Sequence, residues 1–104
     1  MEVKEVRTHH IPAQDGGDPI DVFIVWYGEC KSQITIRCWD HAWTGYRGGH
    51  HYEQAEKYIT ECIDEGMTEH LVQLFSRTRS PREIKWLTEI IGSIHKYLKS
   101  IEVV

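Results

Sequence analysis

The sequence predicts an α+β fold in which a small antiparallel sheet of two or three N-terminal strands is packed by three C-terminal helices. Segments rich in β-branched and aromatic residues lie within the first 40 residues. Apolar residues recur at helical spacing from about residue 52 onwards. Strands pooled at one end of a chain favour a sheet with helices on one face. The length of 104 residues suits one domain, and we expect residues 1–104 to form it.

Composition and alternation identify the strands. Residues 2–11 alternate weakly and suit a strand, and the turn-forming stretch PAQDGGDP follows at 12–19. Residues 20–28, IDVFIVWYG, are apolar on both faces, as expected of a central strand. Residues 33–40, QITIRCWD, return after a tight turn and alternate more clearly, which makes this hairpin the best-supported β element.

The register of this hairpin depends on the length of its loop. A two-residue loop would place Phe23 and Val25 beside Ile36 and Ile34. A three-residue loop would use Ile24 and Trp26 instead. Both registers stay open at this point.

Three helices follow. The first is indicated by a stripe on a 3.6-residue period and ends at Gly66; the stripe consists of Tyr52, Ala55, Ile59, Cys62 and Ile63. Thr68 is the predicted cap of a short second helix, with Leu71, Val72, Leu74 and Phe75 facing inward. The third begins at a capping box of Ser80, Pro81, Arg82 and Glu83. Its apolar stripe comprises Ile84, Leu87, Ile91, Ile94, Leu98 and Ile101.

Composition also narrows the class of protein. The chain is 40% hydrophobic and 27% charged, as in ordinary globular domains. No apolar run approaches the roughly 20 residues that cross a bilayer, and the first residues do not resemble a secretory signal. Three cysteines without a close pair fit a reducing compartment. We therefore expect a cytoplasmic protein that contacts no membrane.

The stretch from Ile36 to His51, IRCWDHAWTGYRGGHH, is the main candidate for a functional surface. It combines aromatic side chains with three glycines, and we interpret it as a flexible loop between the hairpin and the first helix. Trp, Tyr and Arg are enriched at binding hot spots. The predicted partner-binding residues are Trp39, Trp43, Tyr46, Arg47 and Tyr52. The alternative is a buried aromatic corner that closes the sheet against the helices.

The same stretch offers weak support for other chemistries. A structural metal site would use His41, His50 and His51, but their spacing matches no usual zinc signature. Adjacent His50 and His51 would also point in different directions. The sequence has no G-x-S-x-G, no H-E-x-x-H and no phosphate-binding glycine loop. We therefore expect no enzymatic activity, no catalytic residues and no cofactor.

Charge is unevenly distributed along the chain, whose net charge is −4. Residues 1–75 carry six basic and thirteen acidic side chains, whereas residues 76–104 carry six basic and three acidic ones. General duplex-DNA binders are usually basic over their contact domain, which makes nucleic acid an unlikely partner. A local anion-binding patch would consist of Arg77, Arg79, Arg82 and Lys85. A small nucleic-acid-binding regulator is therefore the first alternative function, and a metal-stabilised structural protein is the second.

The segment from Ile34 to Gly49, ITIRCWDHAWTGYRGG, resembles the core of short proteins encoded by temperate phages and prophages of enteric bacteria. The resemblance implies a setting in the host bacterial cytoplasm. Small acidic phage proteins without catalytic motifs often bind and block a host machine. Our leading hypothesis is therefore a protein-binding module that inhibits a bacterial defence complex such as CRISPR–Cas. Four tryptophans and five tyrosines also leave a homodimer open.

Overall fold

The computed structural model describes residues 2–13, 17–29, 31–48, 54–76 and 79–101. These residues contain four strands and three helices in the predicted order, so the α+β class is confirmed. The strands are β1 (Glu5–Ile11), β2 (Ile20–Gly28), β3 (Lys31–Cys38) and β4 (His41–Gly48). The helices are α1 (Ala55–Asp64), α2 (Thr68–Phe75) and α3 (Pro81–Ile101). The prediction of two or three strands was one or two strands short of the four observed.

The strands form one antiparallel sheet in the order β1-β2-β3-β4. At the β2–β3 turn Gly28 pairs with Lys31, as a two-residue loop requires. A β-bulge between Trp26 and Gly28 then shifts all remaining pairs of these strands by one residue. Ile24 therefore lies opposite Ile34, and both side chains are buried. Neither predicted register is correct, because both assumed a ladder without a bulge.

β4 is the strand that the sequence did not predict. Residues 41–48 were interpreted as a flexible loop because they contain two glycines, yet they pair with β3 along their whole length. Gly45 explains the discrepancy. A Cβ atom at this position would lie 2.7 Å from Leu74 Cγ and 3.0 Å from the Leu74 carbonyl oxygen. Glycine within a strand here marks the close approach of α2 to the sheet.

The helices bury one face of the sheet. Alternate residues of each strand face the helices, and the core is formed by 19 hydrophobic residues with at most 7% exposure. The strands contribute Ile11, Ile20, Val22, Ile24, Ile34, Ile36, Cys38 and Trp43. The helices contribute Ala55, Ile59, Cys62, Leu71, Val72, Phe75, Leu87, Ile90, Ile91, Ile94 and Leu98.

The helix ends follow the sequence in two cases and depart from it in one. Gly66 has a φ of 77°, and the N–H groups of Gly66 and Met67 donate to the carbonyls of Ile63 and Cys62, which is a Schellman motif. At the start of α3 the Glu83 N–H lies 3.5 Å from Ser80 Oγ, as the capping box predicts. The prediction of Thr68 as a cap is wrong, because Thr68 is already helical. Tyr52 lies outside the described residues.

Candidate interaction surface

The second face of the sheet is left uncovered by the described residues. Side chains on this face come from every strand and form three rows that run across the sheet. We call these twelve residues the open face. Its first row is Val6, Val25, Gln33 and Tyr46; the second is Thr8, Phe23, Thr35 and Thr44; the third is His10, Asp21, Arg37 and Ala42.

The first row is apolar and aromatic at its edges. Val6 is 59% exposed and Tyr46 is 48% exposed, although both are large hydrophobic side chains in regular strands. Val25 and Gln33, which lie between them, are half-buried by their neighbours on the sheet. Large apolar side chains exposed on the face of a sheet are candidates for an interaction site.

The second row combines an aromatic ring with hydroxyl groups. Phe23 is half-buried and lies between Thr8 on β1 and Thr35 on β3. The hydroxyl oxygens of Thr35 and Thr44 are 3.0 Å apart and share a hydrogen bond. This row therefore presents an aromatic ring flanked by threonine side chains.

The third row is a connected charged group. Asp21 Oδ1 lies 2.7 Å from His10 Nδ1, and Arg37 Nη2 donates to Asp21 Oδ2 at 2.6 Å. The hydrogen bonds with His10 and then Arg37 lower the pKa of Asp21. The Arg37 guanidinium also lies 5.6 Å from the centre of the Phe23 ring, within cation–π distance. The charges are therefore balanced at this end of the open face.

Trp39 occupies the β3–β4 turn at the same end of the sheet. It is 65% exposed and has a φ of 56°, a conformation usually given to glycine, asparagine or aspartate in two-residue hairpin loops. Neither burial of the indole nor an easy backbone conformation explains a tryptophan at this position. Trp39 is thus the most prominent exposed aromatic side chain among the described residues.

The structure separates the other residues predicted to bind a partner. Tyr46 lies on the open face, but Trp43 and Arg47 face the helices and are each only 5% exposed. Trp43 packs edge to face against Trp86, with ring centres 5.1 Å apart. The Arg47 guanidinium lies 4.6 Å from the Tyr58 ring centre. Both side chains therefore belong to the packed corner that was the alternative interpretation, whereas Tyr52 lies outside the described residues.

The histidines proposed for a metal site are not brought together in the described part of the chain. His41 is exposed, and its ring packs edge to face on Trp86 at 5.0 Å. His50 and His51 lie outside the described residues. Among the residues that are described, no group of three His, Cys, Asp or Glu side chains is placed to hold a metal ion.

The basic patch surrounds the start of α3. Arg79, Arg82 and Lys85 are exposed, and Arg77 lies outside the described residues. Arg82 is one helical turn from the half-buried Trp86, so a cation and an aromatic ring share one side of this helix. Glu83 in the first turn of α3 offsets part of the positive charge.

A second charged group lies on the helix side of the sheet, beside a cavity of about 310 Å³. Arg7 donates two hydrogen bonds of 2.8 Å to Glu56, and His9 Nε2 lies 2.8 Å from the same carboxylate. Burial would raise the pKa of Glu56, but the bonds from Arg7 and His9 outweigh it and lower the pKa to about 2. A carboxylate held ionised in this way is poorly suited to proton transfer near neutral pH.

Sequence reasoning missed most of the open face. Of the open face it identified Tyr46, and it also identified Trp39 in the adjoining turn. It did not identify the valines, the threonines or Phe23. The signal was present in the apolar residues on both faces of IDVFIVWYG, which we attributed to a strand covered on both sides. All three helices pack on the face of the sheet that carries Val22 and Ile24. β2 is therefore central in the sheet but covered on one face.

Of three comparisons with known proteins, one found a match. A family model named Phage_phiTE_072, described as a phage family, matches residues 1–100. The match confirms the resemblance to phage proteins, which rested on Ile34 to Gly49, and extends it over nearly the whole chain. No curated protein and no solved structure matches the chain. In the described residues, no helix has the length and apolar character needed to span a membrane.

Proposed function

The chain belongs to the Phage_phiTE_072 phage family, and from this premise we propose that it is a non-enzymatic protein-binding module of the host bacterial cytoplasm. It acts by contact with a host protein complex, and its target is a bacterial defence machine such as CRISPR–Cas. The observation that carries the proposal is the open face, which presents exposed apolar side chains on a rigid sheet instead of a cleft with reactive groups.

The partner surface would be apolar where it meets the two edges of the first row and basic where it meets the ends of the strands. Val6 and Tyr46 supply exposed apolar area, and Trp39 supplies an aromatic side chain of the type enriched at hot spots. Exposed carboxylates of Asp18, Glu29 and Asp40 lie at the ends of strands around the sheet. Nucleic-acid-binding surfaces of defence complexes are basic, and these carboxylates would complement them.

The test is a pull-down from bacterial lysate, with and without nuclease treatment, in which bound proteins are identified by mass spectrometry. The wild type is compared with the double variant Val6→Lys, Tyr46→Lys. The matched control is Met67→Lys, because Met67 is 42% exposed but lies between α1 and α2, away from the open face.

We expect one protein complex that survives nuclease treatment and is retained by the control. Hot-spot substitutions cost ~2 kcal/mol or more, so the double variant should bind at least about 30-fold more weakly. A double variant that binds the same complex within a factor of about two would contradict a role for the open face. Partners that vanish with nuclease would instead favour nucleic acid.

A second candidate function is binding of single-stranded nucleic acid at the start of α3. It is favoured by the exposure of Arg79, Arg82 and Lys85 next to Trp86. In single-stranded nucleic-acid sites, cationic side chains bind the phosphate backbone and aromatic rings stack on the bases. Affinity for labelled single-stranded DNA should then fall steeply between 50 and 200 mM salt, roughly by tenfold or more. The variant Arg82→Ala, Lys85→Ala should reduce that slope. Absent or salt-insensitive binding would exclude this function.

A further inference from the structure

The two edges of the sheet differ in how they are protected against pairing with another strand. β1 carries Glu5 and Arg7, which form an ion pair with each other, and Arg7 also binds Glu56. Charged side chains of this kind are a common protection of edge strands. β4 has one Lys, Arg, Asp or Glu side chain, Arg47, which faces the helices, so the exposed side chains along this edge include none of these charged types. β4 is also eight residues long, free of proline and regularly paired with β3.

Hairpin geometry identifies the backbone groups at the β4 edge. Cys38 pairs with His41 around the two-residue loop, so this pair is hydrogen-bonded. Along the rest of the hairpin, non-hydrogen-bonded and hydrogen-bonded pairs alternate. Ala42, Thr44 and Tyr46 therefore direct their N–H and C=O groups away from β3. All three residues are exposed, and in the described part of the sheet β4 has β3 as its only neighbour.

We propose that the β4 edge binds a second copy of this chain, which gives a symmetric dimer with a continuous eight-stranded antiparallel sheet. Antiparallel pairing of a strand with itself satisfies a two-fold axis, which is the commonest symmetry of homodimers. An axis beside Thr44 pairs outward-facing residues of the described strand with one another, Thr44 with its own copy and Ala42 with Tyr46. The outward N–H and C=O groups of both copies are then hydrogen-bonded.

The side chains of β4 support this register by size. With Thr44 opposite its own copy, the exposed Tyr46 lies opposite the exposed Ala42, so an aromatic side chain meets a small residue on the open face. The exposed Trp39, which precedes β4, then lies near the end of the partner's strand. The dimer would join the two open faces into one surface of twice the area.

The first test is the mass of the purified chain by sedimentation equilibrium from about 1 µM to 1 mM, together with amide hydrogen exchange. The expected result is a dimer at the upper concentrations, in which the amides of Ala42, Thr44 and Tyr46 gain protection as the protein is concentrated. A chain that stays monomeric over this range would overturn the proposal. Concentration-dependent protection of β1 in place of β4 would also overturn it.

Substitutions at Thr44 separate the backbone from the side chain. Thr44→Pro removes the outward N–H, and proline is tolerated on edge strands where the N–H faces solvent. We expect a folded monomer with a dissociation constant raised at least tenfold. Thr44→Val removes the hydroxyl that binds Thr35 but keeps the N–H, so it should dimerise like the wild type. Equal dimerisation of both variants would refute pairing through β4.

Discussion

Gly45 allows α2 to lie directly against β4, and its substitution gives a prediction at the scale of a single residue. The Cβ of Gly45→Ala would press on the side chain and carbonyl of Leu74, so we expect a loss of about 1–3 kcal/mol in the free energy of unfolding. Urea denaturation followed by tryptophan fluorescence measures it.

The matched control is Gly92→Ala in the interior of α3. Gly92 is exposed, and a Cβ there would have no atom within 4 Å. Alanine has the higher helix propensity, so this variant should be more stable than the wild type by roughly 0.5–1 kcal/mol. Equal effects at the two glycines would contradict the close packing assigned to Gly45.

Trp39 gives the second residue-scale prediction, because its backbone conformation is unfavourable and its side chain is 65% exposed. Trp39→Gly should relieve the strain and raise the free energy of unfolding by about 1 kcal/mol. Thermal unfolding of this variant and of Trp39→Ala, which keeps the strain, measures the difference. A loss of stability in Trp39→Gly would show that the indole stabilises the fold and is not reserved for intermolecular contact.

At the scale of elements, the ion pair of Arg7 with Glu56 joins β1 to α1 and makes stability depend on acid. The pKa of Glu56 is about 2 in the folded protein, below its ordinary value of 4.5. The ionised Glu56 carboxylate therefore makes its full contribution to the free energy of unfolding above pH 4.5, and this contribution is lost as the pH falls towards 2. Because the lowered pKa reflects hydrogen bonds to the ionised carboxylate in a partly solvated position, we expect a loss of roughly 1–2 kcal/mol in the free energy of unfolding on acidification.

Urea denaturation at several pH values between 2 and 7 tests this contribution. Glu56→Gln should be less stable than the wild type at pH 7, with a smaller decrease on acidification. Glu61→Gln is the control, because Glu61 lies on the same helix and its ion pair with Lys57 is long, at 3.9 Å, and solvent-accessible. If Glu61→Gln reduced the loss of unfolding free energy at low pH as much as Glu56→Gln does, the assignment of this loss to Glu56 would be wrong.

The elements that the sequence predicted are those whose signals are local. α3 begins at Pro81, where its capping box indicates, and Gly66 ends α1 through contacts within a few residues. β4 was missed because the reason for Gly45 lies on α2, about 30 residues away. The register of β2 and β3 was missed because a bulge next to Gly28 leaves no distinctive residue pattern.

The same distinction applies to the candidate site. Trp39 and Tyr46 were identified by residue type, and they are exposed. Trp43 and Arg47 have equally suggestive side chains in the same stretch, yet they are buried, because alternate residues of a strand face opposite sides. Once residues 41–48 are known to form a strand, this division follows at once. The error was therefore one of secondary structure and not of side-chain chemistry.

At the scale of the whole molecule, three helices on one face leave a two-layer protein with one sheet face uncovered by the described residues. Domains of this architecture bury the apolar sides of both layers against each other, and the outer face of the sheet is normally polar. Here it includes Val6, Phe23, Val25 and Tyr46. Such a surface fits the protein-binding function that we propose, and dimerisation through β4 would leave it accessible.

Dimerisation also predicts how the thermal stability of the whole molecule depends on its concentration. If two chains must separate to unfold, mass action raises Tm with total protein. A two-state dimer of 104-residue chains should gain about 3 °C for each tenfold rise in concentration. Calorimetry at 10, 100 and 1,000 µM measures the shift, and Thr44→Pro should show none over the same range. A wild-type Tm that is independent of concentration would mean that the open face of a single chain, and not an eight-stranded sheet, is the surface offered to a partner.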